Sequence, residues 1–170
     1  MRDAVAALKQ SHERRAVTVA NDVYALTQNR IIQKGEDSKG SRFPGYSKKQ
    51  VPKFFFRGRS RNAGAETRVA KAKKTLSYED FRKINNLQTG HVDLYFTGEM
   101  WRGTGVAVVG KQNGRIMVAI QGKTEPAKKK VDWNSARYGE SILTPSSREI
   151  DMARRAYFAA TIKTLKPFFG

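Results

Sequence analysis

The stretch Val106-Ala-Val-Val-Gly-Lys-Gln-Asn-Gly-Arg-Ile-Met-Val-Ala-Ile-Gln121 decides the fold class of this chain. Two runs rich in β-branched and apolar residues flank Asn113-Gly114, and a type I′ turn needs a positive φ at both central positions, which Asn and Gly tolerate best. The pair therefore reads as a two-residue hairpin turn. Pairing Gln112 with Arg115 sets Val109 opposite Val118 and Ala107 opposite Ile120, so that these four and Ile116 share one apolar face. A lone hairpin is marginal in water, and this face is expected to cover a helix.

Two long helices are available. From Asp3, a good N-cap, Val5, Leu8, Val19, Val23 and Leu26 keep three- and four-residue spacings, and the pattern runs to Lys34 with Gly35 as the residue just past the end. Such a helix is about 46 Å long, more than the roughly 40 Å width of a globule of this size, so it bends or projects toward a partner. Near the other terminus Ser146 or Ser147 caps a last helix to about residue 165. Ile150, Ala153, Tyr157 and Ala160 form its inner stripe, and Pro167 lies just beyond it.

Shorter elements fill the middle. Ser77 and Asp80 form the Asp variant of a capping box, opening a helix striped by Phe81, Ile84 and Leu87 and ended at Thr89-Gly90. Residues 91–96 read as a strand, and Thr97 caps a turn of helix through Glu99, Met100 and Trp101. Residues 123–130 read as a basic connection before a short helix over 131–138, closed by Gly139. Helices bracketing an antiparallel hairpin, without βαβ alternation, predict one α+β domain over 1–170, with the long N-terminal and the C-terminal helix packed on a small antiparallel sheet.

Residues 36–76 differ in kind, being rich in Gly, Ser, Pro, Lys and Arg without a sustained period of 2 or 3.6, and are expected to form an extended basic loop or arm. Between 41 and 74, eleven basic residues face one acid, Glu66. Ten of the eighteen net positive charges of the 170-residue chain therefore sit in that segment. A balance of 33 Lys plus Arg against 15 Asp plus Glu calls for an anionic partner or acidic neighbours. No cysteine is present, which removes disulfides, thiolate zinc sites and Cys nucleophiles. The longest purely apolar run, 4–8, is far short of a membrane span, and no signal-peptide core follows the start, so a soluble protein of intracellular origin is expected.

Catalytic patterns are weak. Gly105 to Lys111 has the GxxxxGK spacing of a phosphate loop, yet Gln112 offers no hydroxyl for Mg²⁺ and the intervening residues are strand formers. His91 and Asp93, two apart on a strand, would share a face, but no placed Ser nucleophile or oxyanion loop accompanies them. Glu36, Asp37, Glu79, Asp80 and Glu99 show no convergent metal-ligand spacing, so neither enzyme activity nor a cofactor is expected. Phe54-Phe55-Phe56, followed by Arg57-Gly-Arg-Ser-Arg61, has two readings: rings that stack on single-stranded nucleic acid, or an anchor in an apolar groove of this domain or of the next subunit. Anchoring is favoured, because no RNA-binding signature or helix-turn-helix spacing accompanies the rings.

Three patches carry a resemblance. They are Ile31-Ile-Gln-Lys-Gly35 with Asp37, Gly40, Phe43 and Tyr46-Ser47; Val92-Asp-Leu-Tyr-Phe-Thr-Gly-Glu-Met100; and Ala136-Arg-Tyr-Gly139 followed by Pro145 and a closing helix. Their order resembles the phage tail-completion, or head–tail joining, family. The resemblance implies a non-enzymatic virion protein of the phage neck, made in the host cytoplasm, forming a homo-oligomeric ring that links portal to tail. Partners are then other copies of itself and portal or tail proteins, with packaged DNA as a further candidate and no membrane. Necks of that family often have an acid-lined channel, whereas this chain is strongly basic. Phe54, Phe55, Phe56, Tyr46 and Trp101 are the expected partner or subunit contacts. Lys48, Lys49, Lys53, Arg57, Arg59, Arg61, Lys71, Lys73, Lys74, Lys128, Lys129 and Lys130 are the expected contacts to an anionic partner or nucleic acid. A basic nucleic-acid-binding protein, or another minor capsid or tail component, is the alternative.

Overall fold

A computed structural model describes residues 2–113, 115–138 and 142–169. The chain is α+β. Helix α1 (Arg2–Lys34) is followed by strand β1 (Val51–Pro52), a 3-10 turn (Lys53–Phe56), α2 (Ala63–Lys71), β2 (Thr75–Leu76), α3 (Tyr78–Ile84) and α4 (Glu99–Arg102). The hairpin β3 (Thr104–Gln112) and β4 (Arg115–Gly122), then α5 (Glu125–Tyr138) and α6 (Ser147–Phe169), complete the described elements.

At 33 residues, α1 is about 50 Å long. It already includes Asp3, which is therefore inside the helix rather than its cap. At its far end Gly35 adopts φ +66° and donates to Ile31 O at 2.9 Å, the left-handed stop expected there. A Cβ at Gly35 would also lie 2.9 Å from the His91 side chain, so this position needs glycine for both conformation and space. Helix α6 runs antiparallel against α1: Glu149 meets Thr27 and Arg30, while Thr164 accepts from Arg15 at 3.0 Å. Ser146 and Glu149 form a reciprocal capping box at its start. Ala153, Tyr157 and Ala160 face inward as expected, Ile150 is exposed instead, and Pro167 lies inside the last turn, where it forfeits only one helical hydrogen bond.

The hairpin packs on α1, but its register departs from the simple ladder. Gln112 pairs with Arg115 and Asn113 takes φ +50°, as the turn reading requires; Gly114 lies outside the described residues. A bulge between Val108 and Gly110 then inserts an extra residue into β3, so Val118 faces Val108 and Ile120 faces Val106. The covered face is Val106, Val108, Ile116, Val118 and Ile120, while Val109, 54% exposed, points outward. On β4 the expectation holds; on β3 it is one residue out.

The principal core gathers Ile31, Phe43, Tyr46, Val92, Met100, Trp101, Ile142 and Leu143. A satellite cluster of Phe56, Val69, Leu76 and Phe81 lies under the 36–76 segment. That segment is therefore ordered in large part. Asn62 caps α2 by accepting from Ala65 N at 2.9 Å, and β1 pairs with β2. Residues 91–96 form no strand. Their backbone groups are taken by side chains instead: Asp93 N donates to the Tyr46 hydroxyl, Tyr95 O accepts from Arg82, and Leu94 sits at φ +53°. Helix α3 stops at Ile84, ahead of the expected end at Thr89-Gly90 and without the striped Leu87, because Asn86 turns to φ +54°. Helix α4 is the expected turn, but its N-cap is Gly98, at φ +74° and without a side-chain cap, rather than Thr97. Helix α5 begins at Glu125, replacing the expected basic connection, with Thr124 Oγ1 accepting from Ala127 N at 3.3 Å and Pro126 in its first turn. Its expected stop at Gly139 lies outside the described residues.

Candidate partner-binding surfaces

The geometry starts from one buried group. Arg82, on α3, donates Nη2 to both Asp93 carboxylate oxygens at 3.0 Å, Nη1 to Tyr95 O and Nε to Gln88 O, and its guanidinium lies 4.2 Å above the Tyr46 ring. Tyr46 donates to Asp93 Oδ1 at 2.7 Å. Burial, and the hydrogen bond to that carboxylate, push the Tyr46 hydroxyl far above the ordinary phenol range. Asp93 is thus a structural anion within reach of two side-chain donors. His91, by contrast, turns its Nε2 to Ile32 O at 2.8 Å, so the two residues serve different partners.

Over this floor opens a cleft of 690 Å³ between the segment from Leu94 to Met100 and α5. Rings of Tyr78, Tyr95, Phe96, Tyr138 and Trp133 line it together with Arg59, Lys130 and Arg137. The Gly98 backbone, at φ +74°, tucks beneath the Tyr95 ring, where a Cβ would lie 3.0 Å away. Lys130 is paired with Glu99, and that hydrogen bond holds the Glu99 carboxyl below its ordinary range. Burial raises the Tyr138 hydroxyl. Arg59 and Arg137 have no carboxylate within ion-pair distance among the described residues.

The three phenylalanines separate. Phe56 is buried and stacks on Phe81 at 4.6 Å, whereas Phe54 and Phe55, 60% and 50% exposed, stack on each other at 4.4 Å. Anchoring within the domain therefore holds for Phe56, and the other two remain open to a partner. Tyr46 and Trp101 are buried in the principal core rather than exposed as the expected contacts, which corrects the expectation for both; Tyr46 reaches only the floor of the cleft. Of the expected cationic contacts, Lys53 donates to Ala70 O and Ala72 O at the end of α2, and Lys128 pairs with Glu125. Lys48, Lys49, Arg57, Arg59, Arg61, Lys71, Lys73, Lys74 and Lys129 are exposed.

A second surface was not legible as a site. An open groove of 490 Å³ runs between α1, β4 and the start of α6, with Ala16, Val19, Ala20 and Val23 among its walls. It adjoins a 270 Å³ hollow that Ala16, Val19 and Val23 share with Tyr157 and Phe158. Beside it Phe158 and Ile162 are 66% and 67% exposed. The signal in the sequence was a second apolar line on α6, next to the inner one.

The three patches behind the family resemblance converge: Ile31, Phe43 and Tyr46, then Val92 and Met100, then Tyr138 all join the principal core. No protein-family model, no characterised protein and no solved structure matches the chain.

Proposed function

We propose that the protein is a structural subunit of a phage head–tail connector, assembling as a homo-oligomeric ring that links portal to tail in the virion neck. One observation carries this reading: the groove walled by small residues of α1 and the large side chains of Phe158 and Ile162 exposed beside it. Large apolar side chains clustered in water mark an interaction surface, and a hollow next to a set of knobs suits head-to-tail packing that closes into a ring. The resemblance of the three sequence patches supports the same reading. The excess of positive charge suits a subunit whose basic turn grips acidic neighbours.

Nucleic-acid binding is the second reading, favoured by the exposed Phe54–Phe55 stack beside Arg57, Arg59 and Arg61. Sedimentation velocity of the purified protein, with immunogold microscopy of virions, tests the first. A ring-sized species that Phe158→Ser with Ile162→Ser reduces to monomer, and label at the neck, support it. A monomer at all concentrations that binds single-stranded DNA through the Phe54–Arg61 turn moves the second ahead.

A further inference from the structure

The cleft above the Arg82–Asp93 pair is lined by both aromatic rings and cations without a carboxylate partner among the described residues. Its lining, with Trp133, four tyrosines and two arginines that have no carboxylate partner among the described residues, matches the residue types that carry most binding energy at protein interfaces; Arg137 lies 5.7 Å from the Tyr138 ring centroid. Trp133 is 70% exposed and stands with the other rings at the cleft, so that apolar surface gathers there in water. Arg59 reaches the cleft from the turn after the phenylalanines and Arg137 from α5, so two separate elements each present one guanidinium.

We infer that this cleft is a socket for an acidic peptide segment of a partner protein, an apolar side chain entering among the rings and flanking carboxylates meeting Arg59 and Arg137. Charge complementarity selects the occupant. Among the described residues neither guanidinium has a carboxylate within ion-pair distance, and each offers the planar fork that a carboxylate meets bidentately. Glu99, kept ionised by Lys130, stands at the same cleft and is about half exposed. A phosphodiester strand carries charge on every backbone unit, so it cannot confine its charges to the two places where Arg59 and Arg137 stand. A peptide backbone is neutral, can pass Glu99, and places alternate side chains about 7 Å apart on one side. The inference does not rest on ring formation, because every group in the socket belongs to a single chain.

Tryptophan fluorescence reads the site directly, since the chain has two tryptophans and Trp101 is buried while Trp133 is exposed. The probe is the end-blocked peptide Glu-Asp-Phe-Asp-Glu, with Lys-Lys-Phe-Lys-Lys and a twelve-residue oligothymidylate as comparators, titrated into dilute full-length protein. The acidic peptide is expected to shift and saturate the emission, and the basic peptide is not. Arg59→Gln and Arg137→Gln should each weaken binding about threefold and together about tenfold, with unchanged thermal melting. In Trp133→Phe the optical signal should vanish while calorimetry still detects a weaker complex. No saturation by the acidic peptide, or equal affinity in the double arginine variant, overturns the inference. Saturation by oligothymidylate without the peptide overturns it in favour of a nucleic-acid site. Since the readout is peptide binding by one subunit, its failure would leave the sedimentation result for the ring intact.

Discussion

Arg82 and Asp93 form a buried two-oxygen ion pair, both contacts at 3.0 Å, that fastens α3 to the irregular segment 91–96. Neighbouring side chains on α3 divide the work, for Phe81 faces the satellite cluster while Arg82 reaches toward the principal core.

Breaking that pair should be severe. Arg82→Met leaves a buried carboxylate with one fewer charged partner and is expected to cost about 3–5 kcal/mol in urea unfolding. The double variant Arg82→Met with Asp93→Asn should recover part of the loss. Additive losses in the two single variants would show that the pair is not coupled.

Acid should loosen the contact between α1 and α6. Burial alone pushes the Glu149 carboxyl up, but hydrogen bonds from Arg30, Ser146 N and Thr27 outweigh it and hold the group below its ordinary value of 4.5. The unfolded chain then binds the proton more tightly, so this stabilisation is complete above about pH 4.5 and is lost as pH falls through the folded value. Thermal melts from pH 7 to 3 should show a falling limb that Glu149→Gln flattens, at a cost of about 2 kcal/mol at neutral pH. A residual slope is expected from Asp80, lowered by its hydrogen bonds with Ser77.

The bulge in β3 is testable by two matched substitutions. Val118→Asp puts a charge on the face against α1 and should cost more than 3 kcal/mol or prevent soluble folding. Val109→Asp, at the outward-pointing extra residue, should change stability by less than about 0.5 kcal/mol. The unbulged ladder requires both to be damaging, so differential scanning calorimetry of the pair decides the register.

Separating the phenylalanines gives a third contrast. Phe56→Ser should cost about 3–5 kcal/mol by emptying its place against Phe81. Phe54→Ser with Phe55→Ser should leave melting unchanged and, on the proposed connector reading, reduce incorporation into particles, measured by immunoblot of purified virions. Normal incorporation with lost binding to single-stranded DNA would instead assign the two rings to nucleic acid.

Local chemistry was legible wherever one residue settles its own neighbourhood: Gly35 as a helix stop, Ser77 and Asp80 as a capping box, Asn113 as a turn residue. Long-range pairing was not. Helix α2 has only Ala65 and Val69 as an inner pair, too few for a period, and its one clear mark was Asn62 as a cap. The bulge at Val109 leaves no trace in a run where β3 is apolar on both faces around it. Arg82 reads as one more surface charge until 91–96, which its alternating residues mark as a strand, is seen to be held by side chains. For the same reason the cleft was invisible: its walls come from the turn 57–61, α3, 94–100 and α5, which no spacing rule connects. Tyr46 and Trp101 failed as expected contacts because burial depends on where distant segments meet.

The hairpin has a further consequence. It is a two-stranded sheet with no third strand beside it among the described residues, so each strand leaves one row of backbone donors and acceptors unmatched. Such rims invite strand addition from another chain, which would propagate without end. Here the rim of β3 is kinked at Val109, and charged Lys111 and Arg115 stand on either side of the turn. Open-ended stacking through the sheet is thereby discouraged, and the choice of neighbour is left to side-chain surfaces, which can close on themselves.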